Sequence, residues 1–225
     1  MNNSDDLLRY ILCYGMMFLF TWIGKLNRSN RLFDAKGFLA ANRTYLVGLH
    51  LAGILWLGIV PSTYLNQTQQ GILFGTGMHR FLWSLLFGFL LLAMSVTGFR
   101  ASRRINISEQ NNPASLNKFL AFYFPVRILF LCAYESFFRG FLLFGCIKWF
   151  GIIPAVALST ALTVLIHVFT NKKEMWACIP FGIILCTCCI TIHAVWPAML
   201  LHLALSLAYE IPIANKFFTQ LKPVK

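Results

Sequence analysis

Acidic residues are scarce in this sequence. Seven Asp and Glu stand against 19 Lys and Arg in 225 residues, and charged side chains make up only 12% of the chain. Hydrophobic residues make up 58%, with a mean hydropathy of +0.69. A water-soluble domain of this length has too small an interior to hide that much apolar surface. The strand-length polar–apolar alternation of a membrane β-barrel is also missing. What remains is an all-α, polytopic membrane helical bundle. The seven cysteines (Cys13, Cys132, Cys146, Cys178, Cys186, Cys188, Cys189) sit mostly within apolar runs, so no loop offers a disulfide framework. Of these, "CTCC" (186–189) on a lipid-embedded helix reads as small hydrophobes rather than as a metal site. There is no HExxH pair to signal a helical zinc site. The first apolar run follows "NNSDD" and lacks a small-residue cleavage site, so a retained span is expected rather than a signal peptide.

What the sequence does have is length in its apolar runs. Seven spans are expected, at 7–24, 44–61, 80–99, 119–149, 152–170, 175–191 and 195–213. The fourth is too long for a perpendicular span, and Pro125 offers a place for it to tilt or break. Splitting it would make eight. Basic residues choose between these counts. Segment 25–43 carries five, 62–79 carries none up to His79, 100–118 carries four, and 171–174 carries two. Seven alternating spans put every basic cluster on one side, which predicts an outside N-terminus and a cytoplasmic C-terminus. The net charge of +12 therefore reflects topology and anionic lipid headgroups, not nucleic acid. The short loops point to a bacterial inner membrane. The loop at 100–118 divides the chain into 1–118, with three spans, and 119–225, with the polar intramembrane residues.

Those polar residues carry the chemistry. "AYESFFRG" (133–140) lies inside an apolar segment, and charges near the centre of a bilayer cost several kcal/mol, on the order of 2.5–3.5 each. Glu135 and Arg139 are one turn apart and can pair on one face. Two later spans each hold a histidine, His167 in "STALTVLIHVF" and His202 in "WPAMLLHLALS". Ser206 follows His202 by one turn and projects from the same face. Glu135, His167 and His202 together could also bind zinc. His50, His79 and His193 carry less weight. Glu210 shares the face of His202, where it either joins the cluster or caps the helix at the interface.

The order of these elements resembles the CPBP family, the CAAX-prenyl-protease-like and bacteriocin-processing intramembrane enzymes. The resemblance covers about 120–210. Where that family has Glu-Glu-x-x-x-Arg, this chain has Tyr134, Glu135 and Arg139, followed by Gly140. Phe-x-x-x-His corresponds to Thr163 and His167, and His-x-x-x-Asn/Asp to His202 and Ser206. The resemblance implies an intramembrane endopeptidase with Glu135, Arg139, His167 and His202 as catalytic residues and Tyr134 and Ser206 in support. Tyr134 stands where the family has the Glu taken to activate water, and a phenol of ordinary pKa near 10 is a poor base at neutral pH. Ser206 stands where an Asn is thought to help hold the oxyanion. Three functions remain open: an endopeptidase cleaving a membrane peptide or protein, a non-catalytic relative that binds one, as in bacteriocin immunity, and a transporter using these residues as a proton relay.

Overall fold

The computed structural model describes residues 3–34, 37–63, 81–106, 113–170 and 172–220. Within them the chain forms seven helices. These are α1 (Asn3–Leu26), α2 (Arg43–Gly53, extended through a π turn at Ile54–Ile59 to Val60–Ser62) and α3 (Phe81–Arg103). α4 runs from Pro113–Glu135 through a π turn at Ser136–Leu142 to Leu143–Phe150, and α5 (Ile152–His167), α6 (Lys172–Ile192) and α7 (Trp196–Gln220) complete the bundle. Among the described residues there is no strand, only an isolated bridge between Phe33 and Leu39. Six helices are long and apolar enough to cross a membrane. His79 and the rest of 64–80 lie outside the described residues.

Two expectations about the spans change. The long fourth run is one uninterrupted apolar helix, 35 residues over Leu116–Phe150, and Pro125 sits inside it without ending it. The fourth run is therefore not split, and the described residues hold seven helices rather than eight. The fifth is shorter than expected, with 16 residues ending at His167. Gly151, at φ +83°, supplies the left-handed residue that turns α4 sharply into α5. The two helices then run antiparallel, with Ser159 Oγ donating to the Phe138 carbonyl at 2.9 Å.

Basic residues of the α1–α2 loop, the end of α3 and the end of α7 gather at one end of the bundle. Lys216, near the end of α7, donates to the carbonyls of Ser102 and Arg103 at 3.0 and 3.3 Å, closing the last turn of α3. Arg31 in the α1–α2 loop forms a two-pronged pair with Glu174 at the start of α6, at 3.0 and 2.9 Å. Asn30 donates to the Phe169 carbonyl just past α5, at 3.1 Å. The α1–α2 loop is itself folded inward. Leu32 and Phe33 are buried with Leu116, Leu120, Tyr123 and Phe217 in a second small core at this end. Asn42 caps α2 by accepting from the Tyr45 amide at 2.9 Å. α3 lies parallel to α7. It comes so close that a Cβ on Gly98 would collide with the Leu205 carbonyl oxygen, while most of its remaining surface faces outward as lipid-facing Leu and Phe.

Candidate active site

The second half of the bundle brings together side chains that are far apart in sequence. Glu135 and Arg139 on α4 are both fully buried, with Arg139 Nε 3.3 Å from Glu135 Oε2. The pair expected from their spacing forms, but its direction is not that of a hydrogen bond, and both atoms lack a hydrogen-bond partner. The hydrogen bonds go elsewhere. Arg139 Nη1 donates to Thr163 Oγ1 on α5 at 3.0 Å, and Thr163 donates in turn to the Ser159 carbonyl at 2.9 Å. His202 Nδ1 on α7 donates to Glu135 Oε1 at 2.5 Å. α6 makes room for the guanidinium with Gly182, where a Cβ would stand 3.4 Å from Arg139 Nη2 and 3.1 Å from Thr160 Cγ2. The π turn at Ser136–Leu142 begins directly after Glu135 and contains Arg139. Its wider coil re-aims the side chains that follow it.

Tyr134 lies between the two imidazoles. Its ring meets His167 edge-on at 6.5 Å and His202 edge-on at 5.8 Å between centroids. The side chain is buried, and its hydroxyl has no hydrogen-bond partner among the described residues. Judged by span ends alone, His167 and His202 lie at different depths. The short α5 removes that difficulty: it ends at His167 beside Tyr134 instead of continuing to the far membrane face. His167 Nδ1 donates to the Thr163 carbonyl at 2.9 Å. Since a carbonyl only accepts, the proton is on Nδ1 and Nε2 carries a lone pair. The carboxylate of Glu135 fixes His202 in the same tautomer. Both histidines thus carry a proton on Nδ1, and the Tyr134 ring stands edge-on to each of them. Phe181 of α6 also packs against His202, edge-to-face at 5.5 Å between centroids.

The residues do not fit a zinc ion. Glu135 Oε1 is taken by His202 and Oε2 faces the Arg139 guanidinium, so a cation at Glu135 would meet a fixed positive charge. Two imidazoles alone fall short of a protein zinc site. Among the described residues no group of three His, Cys, Asp or Glu side chains is placed to hold a metal.

Ser206 belongs to a neighbouring cluster. It accepts from Arg127 Nη2 at 3.3 Å, and Arg127 also pairs with Glu210 and His50. Sequence reasoning passed over Arg127 and gave His50 little weight. His50 is buried, 3% exposed, and Glu210, also buried, is an ion-pair partner rather than an interfacial cap. The signal available was Arg127 itself, a second guanidinium inside the longest apolar helix. His193 is exposed and sits at the tight α6–α7 turn at φ +52°. In the "CTCC" stretch, Cys186 and Cys189 are buried and all seven cysteines are free.

Comparison with known proteins gives one match, to a family model. No curated protein and no solved structure matches the chain. Residues 113–208, from the start of α4 to past Ser206 on α7, match the family model described as type II CAAX prenyl endopeptidase Rce1-like. Over that segment, which holds Glu135, Arg139, His167 and His202, the chain is similar to Rce1-like type II CAAX prenyl endopeptidases.

Proposed function

We propose that this membrane protein is a peptide hydrolase of the CAAX-endopeptidase kind, acting on a membrane-associated peptide or protein. The observation that carries the reading is the Glu135–His202 hydrogen bond at 2.5 Å, set beside the unpartnered Tyr134 hydroxyl. The carboxylate acts through the imidazole, as in a nucleophile–base–orienter arrangement. Glu135 holds His202 in the tautomer whose Nε2 takes a proton from water as its oxygen attacks the scissile carbonyl. The Tyr134 O–H donates to the oxygen on which negative charge develops. His202, now protonated and stabilised by Glu135, returns the proton to the leaving amine, and the C–N bond breaks. His167 orients the water through its own Nε2. Arg139, anchored by Thr163, keeps Glu135 ionised and in place. The missing first Glu is thereby replaced as base by an imidazole, which is better matched to neutral pH than a phenol.

The basic end of the bundle is read as cytoplasmic and the N-terminus as outside, in a bacterial inner membrane. His167 lies close to that end, beside the 27–42 loop, so the substrate bond is met near the cytoplasmic surface. A second reading, a non-catalytic relative that binds a peptide, is favoured by one observation: Tyr134 fills with an aromatic ring the position of the family's first carboxylate. Purified protein in liposomes, given a farnesylated CAAX peptide and a plain transmembrane peptide, separates the two. Cleavage that falls about 100-fold or more in His202→Ala, and falls also in Glu135→Gln and His167→Ala, supports the hydrolase. Binding without turnover in the wild-type protein supports the second reading, and unchanged rates in all three variants rule out the proposed centre.

A further inference from the structure

Tyr134 and Glu135 are closed off, 3% and 0% exposed, so no peptide bond reaches them unless a helix moves. Most sides of the site are tied. Ser159 and Thr163 hold α5 to α4. Arg127 of α4, under the Phe130 ring at 5.6 Å, donates to Glu210 of α7 at 3.1 Å and to His50 of α2 at 3.2 Å. The exception is the first half of α6. No residue from 172 to 181 is buried, whereas Gly182, Leu185, Cys186, Cys189 and Ile192 beyond it are. On α7 every residue from 202 to 209 is only half-buried. The two helices meet at Phe181 and His202, 5.5 Å between ring centroids. Between that contact and Glu210, toward the basic end, neither buries a side chain.

Glu174, Cys178 and Phe181 recur at helical spacing and share one face of α6. The first of them meets Arg31 and the last meets His202. Arg31 sits in the α1–α2 loop, whose next two side chains, Leu32 and Phe33, are buried with Ile213, Ala214 and Phe217 of α7. The loop is thus a crossbar. Its apolar part is set against α7, and Arg31 grips α6 through both Glu174 oxygens at 3.0 and 2.9 Å. The grip is open to solvent, with side chains 20% and 41% exposed, and such an ion pair is weak and screened by salt. The segment it holds has a joint at each end. Pro180 lies inside α6 and withholds the amide that would bond the Trp176 carbonyl, which loosens the helix there. At the other end residues 168–170 are non-helical and pinned by Asn30 on the Phe169 carbonyl at 3.1 Å. We propose that residues 172–179 of α6 are a gate for the substrate, pivoting at Pro180 and at 168–170 and latched shut by Arg31 on Glu174. Its purpose rests on the hydrolase reading; its motion does not.

Spin labels on Lys173→Cys of α6 and Ile211→Cys of α7, both exposed positions, measure the gap by electron paramagnetic resonance in a cysteine-free background. Arg31→Glu sets two carboxylates against each other, and adding Glu174→Arg rebuilds the pair in reverse. The expected result is a longer label-to-label distance whose share of the population rises about threefold or more in Arg31→Glu and falls back in the swapped pair. The same two cysteines, joined by a bismaleimide that carries a disulfide and matches the closed distance, should cut cleavage of the farnesylated CAAX peptide about 10-fold or more. Reduction of the linker should restore it. Unchanged distances in Arg31→Glu, or full cleavage by the cross-linked protein, overturns the gate and leaves the hydrolase reading standing. Absence of cleavage by the unlinked protein overturns the hydrolase reading, and the distances then decide on their own whether α6 opens.

Discussion

Tyr134 and Arg139, five residues apart, show two ways of keeping a polar group in a lipid-embedded bundle. The Tyr134 hydroxyl has no hydrogen-bond partner among the described residues, so removing it should cost the fold little. Tyr134→Phe should therefore keep or slightly raise the melting temperature while cutting peptide cleavage about 100-fold, the loss typical of one oxyanion donor. A coupled fall in stability and rate would show instead that the hydroxyl serves the fold. Arg139 is the opposite case. Arg139→Ala strands a fully buried carboxylate, and loss of one partner of a buried pair costs about 3–5 kcal/mol. Thr163→Val removes one hydrogen bond to the guanidinium and should cost about 1.5–3 kcal/mol. Chemical unfolding in detergent should rank Arg139→Ala below Thr163→Val. Glu135 and Arg139 were legible in sequence because a pair one turn apart is a local pattern. The Arg127–His50–Glu210 cluster was not: His50 and Glu210 lie 77 and 83 positions from Arg127, and no local period announces a bond across helices. The same holds for the Glu135–His202 bond, whose two ends the motifs named but whose geometry only packing could supply.

Apolar length located the helices well, because a bilayer demands long runs and leaves the backbone no partner but itself. Their ends were less legible. α5 stops at His167 because the inward-folded loop of α1–α2 meets it there, with Asn30 on the Phe169 carbonyl, and nothing in "STALTVLIHVF" marks that. The π turns at Ile54–Ile59 and Ser136–Leu142 likewise leave no trace in hydropathy. Close approach between helices gives this scale its test. A Cβ on Gly53 of α2 would run into the Phe130 ring, the same ring that covers Arg127. Gly53→Val should push α2 away from α4, weaken the His50–Arg127 bond and lower stability by about 1–3 kcal/mol, as overpacking does. Gly98→Val should do the same between α3 and α7, yet leave His50 undisturbed. Histidine NMR signals would tell the two apart: the His50 resonance should move in the first variant and stay in the second.

Taken as a whole, the molecule has a polarity that the loop charges already implied. Contacts from Arg31, Lys216 and Asn30 bring described parts of the basic segments together at one end. Single cysteines introduced into a cysteine-free variant at Arg28 and at Ile153, which is 82% exposed at the start of α5, should react with a membrane-impermeant maleimide from opposite sides of sealed vesicles. Labelling of both from one side would overturn the alternation. α5 adds a consequence for the surrounding lipid. Sixteen residues rise only about 24 Å, against a hydrocarbon slab of about 30 Å. The bilayer must pinch inward around this helix or let headgroups sag toward its end. That dimple lies at His167, so hydrolytic water would have to cross only a shallow layer of oil to reach its target.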